Sequence, residues 1–163
     1  MSVEITLNAF DRHSIRNAIN KLKTYQADID GKMQEVCERL AHIGENRARI
    51  LFSAATYDGN NDVMVTAEPY DGGWRVRASG EATLFIEFGS GVIGYGHPEP
   101  QGYGPSTWSL SERGKGHWDD PNGWYYAHGK KSWGNPPAAA MYHAEQDIRA
   151  EIENVVREVF GNK

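Results

Sequence analysis

Residues 63–88 read "VMVTAEPYDGGWRVRASGEATLFIEF", and the period of this stretch decides the fold class. Val63, Val65 and Ala67 alternate with Met64, Thr66 and Glu68. Trp74, Val76 and Ala78 alternate with Arg75, Arg77 and Ser79. Leu84, Ile86 and Phe88 alternate with Phe85 and Glu87. A period of two places successive side chains on opposite faces of a strand. "PYDGG" and "SGE" supply the turn residues between the runs. The stretch therefore predicts a three-strand antiparallel β-meander with one apolar face. On the other face Arg75 and Arg77 can pair across strands with Glu68 and Glu87.

An apolar sheet face needs a cover, and both flanks provide one. Upstream, Ile15, Ile19, Leu22, Ile29, Met33, Val36, Leu40, Ile43 and Leu51 recur at helical spacing, with Asp11 or Ser14 as candidate caps. Asp28, Asp30 and Gly31 are weak helix formers inside this pattern. The prediction is two consecutive helices or one bent helix presenting a single apolar face. Downstream, Met141, Ala144, Ile148, Ile152, Val155 and Val159 form a second helical stripe. Asn135 with Pro136 or Pro137 is its expected start and Gly161 its expected stop. Val3, Ile5 and Leu7 alternate with polar residues and suggest an N-terminal strand. The sum is an α+β fold in one domain over residues 1–163.

Between sheet and last helix lies an extended loop, 89–135, of a different character. Its 47 positions hold 11 of the 18 glycines and four of the five tryptophans, while Val92, Ile93 and Leu110 are its only large aliphatic residues. It has too few aliphatics to build its own core and too many aromatics for a solvated linker. The expectation is irregular structure that orders against a partner and is mobile beforehand. Tyr95, His97, Trp108, Trp118, Trp124, Tyr125, Tyr126 and Trp133 are its expected interface residues.

Charge and cysteine usage narrow the classes. Seventeen Lys and Arg against 22 Asp and Glu give a net charge of −5, which argues against a broad grip on nucleic acid. Cys37 is the single cysteine, so neither a disulfide framework nor a thiolate zinc site is expected. "MSVEITLNAF" lacks the basic and apolar regions of a signal peptide, and no stretch reaches membrane-span length, so a cytoplasmic protein is expected.

No constellation in the sequence organises catalysis. Gly89, Gly91 and Gly94 stand at the G-x-G-x-x-G spacing of a dinucleotide loop, but "YGHPEPQGYGP" follows where the phosphate-binding helix belongs. These glycines are better read as ending the preceding strand through positive φ and close backbone approach. His97, His117 and His128, with Glu99, Asp119 and Asp120 nearby, lack the compact spacing of metal ligands, so no metal and no cofactor is expected. Cys37 and His42 lie five apart, which does not face them together on a helix. Ser90 lacks the context of a nucleophile elbow. Asp119 and Asp120 among tryptophans keep one alternative open, a small hydrolase or carbohydrate-binding domain.

Residues from about Phe85 to Phe160 resemble siphophage neck proteins of the head–tail joining or tail-completion kind. The resemblance is carried by "FIEFGSGVIG" at 85–94, His97-Pro98, "GWYY" at 123–126, Trp133-Gly134 and "NPPAAAMYHAEQDI" at 135–148, and covers about half the chain. It implies a non-enzymatic virion protein joining head and tail in a ring, with a hexamer expected. Its implied partners are copies of itself and neighbouring neck and tail proteins, with DNA passing through the ring without sequence-specific contact. Its implied location is the virion neck, and the host cytoplasm during assembly.

Overall fold

The computed structural model describes residues 4–57, 59–90, 124–125, 131–132 and 134–161, with backbone alone for 124–125 and 131–132. Helix α1 runs unbroken from Arg12 to Ala54. Strands β1 (Met64–Tyr70) and β2 (Gly73–Ser79) form an antiparallel hairpin. A short helix, α2, covers Thr83–Glu87. Two-residue strands β3 (Trp124–Tyr125) and β4 (Lys131–Ser132) pair with each other, and β5 covers Gly134–Asn135. Helix α3 closes the chain from Ala140 to Gly161. The fold is mixed helix and strand, α+β as expected at that level. Among the described residues no helix is long and apolar enough to cross a membrane.

The α1 helix starts where the sequence places a cap. The Asp11 carboxylate accepts from the His13 N–H at 2.9 Å, and the Asn8 N–H donates to Ser14 Oγ at 2.8 Å. Asp28, Asp30 and Gly31 do not interrupt the helix. Their propensity cost, about 1 kcal/mol at most per residue, is small against the cooperativity of a helix this long. The expected N-terminal strand is not present over residues 4–8, which are irregular. Leu7 is 57% exposed there, so the alternation has no apolar face to serve.

In the hairpin Glu68 stands opposite Arg75 and Tyr70 opposite Gly73. Its turn residues Asp71 and Gly72 have φ of 47° and 75°. Positive φ at both positions is the turn whose twist matches a two-residue hairpin, and Asp-Gly adopts it readily. Arg75 pairs with Glu68 at 2.6 Å and lies over the Tyr70 ring.

The third strand of the expected meander is instead helix α2. Gly80, at φ 146°, turns the chain after β2, and a Cβ there would sit 2.7 Å from the Asp62 carbonyl oxygen. The Asp62 carboxylate then accepts from the Glu81 and Ala82 N–H groups at 2.7 and 2.9 Å and winds the turn. "LFIEF" is apolar at both parities, so its alternation is too short to separate strand from helix turn. Ile86 and Glu87 are both buried, which one turn of helix permits and a one-sided strand does not.

Helices α1 and α3 pack antiparallel. Lys32 lies over Phe160, Arg39 meets Glu158 at 3.3 Å, Gly44 faces Ile148 and Arg47 meets Asp147 at 3.3 Å, so numbering rises on one helix as it falls on the other. Two apolar clusters follow. Ala48, Phe52, Val65, Ala82, Ile86, Ala140 and Ala144 join α1, β1, α2 and α3. Val36, Val155 and Val159, with Leu40, Ile43 and Phe160, extend the helix pair beyond the hairpin. Ile152, expected in the α3 stripe, is 45% exposed, because the buried seam runs through Ala144, Val155 and Val159 beside it.

Candidate functional site

The two ends of the stretch 89–135 lie side by side. Its base is a compact polar knot between α2 and the start of α3. Ser90 and Asn135 form an isolated antiparallel bridge, and Ser90 Oγ donates to Asn135 Oδ1. Asn135, 2% exposed, donates from Nδ2 to the Phe85 carbonyl at 3.0 Å. Ala138 and Ala139 donate N–H bonds to the Ile86 and Glu87 carbonyls at 2.8 and 3.0 Å. Gly89 has φ 76°, the left-handed geometry that glycine adopts without a Cβ clash. The expectation of positive φ holds at this glycine, though it follows a helix rather than a strand.

Glu87 is the chemical centre of the knot. It is 3% exposed, and its carboxylate accepts the Met141 N–H at 3.0 Å and the Tyr142 N–H at 3.4 Å. It thereby caps α3 from 54 residues away. The first N–H groups of a helix have no partner within it, and the helix dipole favours negative charge there. Burial pushes the carboxyl above its ordinary value, and the N–H donors of Met141 and Tyr142 pull it back in part. A carboxylate so enclosed ties α2 to the start of α3.

The α3 start differs from the expected one. Asn135 is drawn into the knot, and Ala139, at φ 46°, breaks the chain direction just before Ala140. The remote Glu87 carboxylate replaces a local cap. The described part of the helix runs to Gly161, the expected stop.

Of the residues expected at the interface, the structure places Trp124 and Tyr125 in β3, paired with Ser132 and Lys131 of β4. Tyr95, His97, Trp108, Trp118, Tyr126 and Trp133 lie outside the described residues, as do Glu99, His117, Asp119, Asp120 and His128. Cys37 is half-buried and lines an apolar groove with Leu40, Trp74, Val76 and Met141. His42 turns to the Trp74 ring and to Glu45, whose carboxylate lies 2.8 Å from its Nδ1. Among the described residues, no group of three or more His, Cys, Asp or Glu side chains is placed to hold a metal ion.

The sequence pattern places Glu87 on a sheet surface and Asn135 at the start of the last helix, and it gives Asp62 no role of its own. The signal for Glu87 was present, a carboxylate inside the apolar run "LFIEF". No family model, curated protein or solved structure matches this chain.

Proposed function

We propose that this chain is a structural virion protein of a tailed phage or prophage, acting at the head–tail junction as a neck or tail-completion component. Ring assembly, with a hexamer expected, is part of the proposal. One observation carries it beyond the sequence resemblance. Two of the five segments that carry the resemblance, "FIEFGSGVIG" in its described residues 85–90 and "NPPAAAMYHAEQDI", meet in space. Glu87 caps Met141 and Tyr142, Ser90 bridges Asn135, and Phe85 accepts from Asn135. A chain that closes the base of its longest loop so firmly is suited to presenting that loop's aromatic residues to a neighbour. The aromatic residues at 95–133, with His97, are the proposed contact surface.

The test is deletion of the gene from its own phage, followed by electron microscopy of the lysate. Filled heads and separate tails that fail to join are expected. Infectious, joined particles in the deletion strain would defeat the proposal. The alternative, a small hydrolase or carbohydrate-binding domain, rests on Asp119, Asp120 and the tryptophans around them. Asp119→Ala with Asp120→Ala restores joined particles by complementation under the structural reading. Joined particles that remain non-infectious would favour the hydrolase.

A further inference from the structure

The hairpin of β1 and β2 has two outer edges, and among the described residues nothing pairs with either. A two-residue turn closes on a hydrogen-bonded pair, here Tyr70 and Gly73, and such pairs alternate along the ladder. The N–H and C=O groups of Trp74, Val76 and Ala78 therefore point away from β1. On β1 the same alternation puts Pro69 at an outward position, where it has no N–H to give. The edge of β2 is thus the one open to a further strand.

That strand would find an apolar floor beneath it. Trp74 and Val76 of β2, Leu40 of α1 and Met141, Ala144 and Ile148 of α3 line a groove, and no described residue of β1 takes part in it. Side chains opposite one another in neighbouring strands share a face. The inward side chains of a strand added to β2 would enter this groove beside Trp74 and Val76.

One stretch of the chain has the matching period and no sheet of its own. Val3, Ile5 and Leu7 alternate with Glu4 and Thr6, yet residues 4–8 are irregular and Leu7 is 57% exposed. Laid antiparallel with Ile5 opposite Val76, the stretch sets Leu7 opposite Trp74 and Glu4 opposite Arg77. Arg75 is already paired with Glu68, whereas Arg77 is exposed and has no carboxylate partner among the described residues. The stretch cannot reach its own β2. Trp74 lies against His42, and Val76 faces Gly44. From Arg12 to His42 the helix rises about 45 Å. Extended chain from Asp11 back to Ile5 spans about 20 Å at most.

We infer that residues 3–7 of one copy add as a strand to the β2 edge of a second copy, with Ile5 and Leu7 in the groove between β2 and α3. The contact joins two different patches, so every copy donates one strand and accepts one. The inference does not depend on the neck-protein reading. Its failure would leave that reading to the aromatic residues at 95–133.

The test begins with sedimentation of the full chain across a micromolar concentration series, where self-association is expected. Ile5→Pro removes an N–H that the added strand must donate, at a residue outside every helix and strand of the single chain. It should raise the dissociation constant at least about tenfold without moving the melting temperature. A Glu4→Cys chain mixed with an Arg77→Cys chain then reads the register. Directly opposite positions in such a ladder lie within disulfide reach. Peptide mapping after oxidation should find the two new thiols joined. A wild-type chain that stays monomeric, association unchanged by Ile5→Pro, or cross-links that form only to Cys37 or between like chains would each overturn the inference. So would a dilute monomer whose Trp74, Val76 and Ala78 amides exchange as slowly as those of Arg75 and Arg77, because the edge would then be covered within one chain.

Discussion

The two halves of α1 share one helix, one hydrogen-bonded backbone and one apolar stripe, yet they live in different surroundings. From Val36 onward the stripe is enclosed: Val36, Ala41, Ala48 and Phe52 are buried against α3, the hairpin and α2. Before Lys32, where α1 runs on as an overhang past the described end of α3, Ile15, Ile19 and Leu22 are 38–53% exposed and Ala18 alone is buried. Burial of a large apolar side chain stabilises by about 1.5–3 kcal/mol, and an exposed one contributes nothing until it is covered. Periodicity therefore records that a helix needs an apolar partner; it does not record whether that partner belongs to the same chain.

The largest expected effect breaks the enclosed half. Phe52 is 1% exposed and sits among Ala48, Val65, Ile86 and Ala144. Phe52→Ala should destabilise by about 3–5 kcal/mol, through lost transfer energy and the cavity left behind. Leu22→Ala, at a protein concentration where the chain is monomeric, should stay within about 0.5 kcal/mol of wild type, as exposed changes usually do. Urea unfolding measures both. Comparable losses at the two positions would mean that the overhang is part of the core.

The same contrast explains what the sequence showed and what it hid. The hairpin was readable because its register is fixed locally, by alternation and by Asp71-Gly72. The helices were readable because their stripes are long. The third strand was misread because "LFIEF" gives only two periods of alternation, and the deciding groups, Asp62 and Gly80, lie outside it. The knot was hidden because Glu87 and Met141, or Phe85 and Asn135, meet only after the chain has closed a long loop. Such pairing leaves no local period. The buried carboxylate within an apolar run was its one local trace.

A smaller loss is expected where the helices approach most closely. A Cβ on Gly44 would lie 2.5 Å from Ile148 Cδ1 and 3.3 Å from Val76 Cγ2. Gly44→Leu should therefore overpack the α1–α3 contact and cost about 1–3 kcal/mol. Thermal unfolding tests it. An unchanged melting temperature would show that α3 can slide away from α1 freely, and the enclosed half would be less rigid than its burial implies.

Glu87 and Asp62, the carboxylates that cap α3 and the α2 turn, give a pH test confined to the enclosed half. For Glu87 the folded value is raised by burial, so the native state holds its proton more tightly than the unfolded chain. Its contribution is fully present below the ordinary value of 4.5 and is lost as pH rises through the folded value. Asp62 runs the other way. The Ala82 N–H, then that of Glu81, lowers its folded value, so its contribution is present above the ordinary 3.8 and lost as pH falls through that lower value. Glu87→Gln should flatten the decline on the rising side, and Asp62→Asn the decline on the acid side. Amide exchange read residue by residue should place both effects in α2, α3 and the second half of α1. Equal pH sensitivity across residues 12–31 would contradict the separation of the two halves.

The smallest effect compares one substitution at two glycines of the same helix. Gly31 has open space around its Cβ position, and Gly44 has Ile148 and Val76. Alanine is favoured over glycine inside a helix by up to about 1 kcal/mol. At Gly31 nothing opposes that gain; at Gly44 the added methyl must first displace Ile148. Gly31→Ala should therefore stabilise and Gly44→Ala should not. Where the Gly31 gain registers is the sharper question. Gly31 stands next to Lys32, where α1 meets the end of α3. If the overhang opens independently of the core, the extra stability stays local. Amide exchange around residues 20–31 should then slow by up to about fivefold while the global unfolding midpoint stays in place. A midpoint that rises by the full amount would join the overhang to the enclosed half as one cooperative unit, and the distinction between them would reduce to solvent exposure alone.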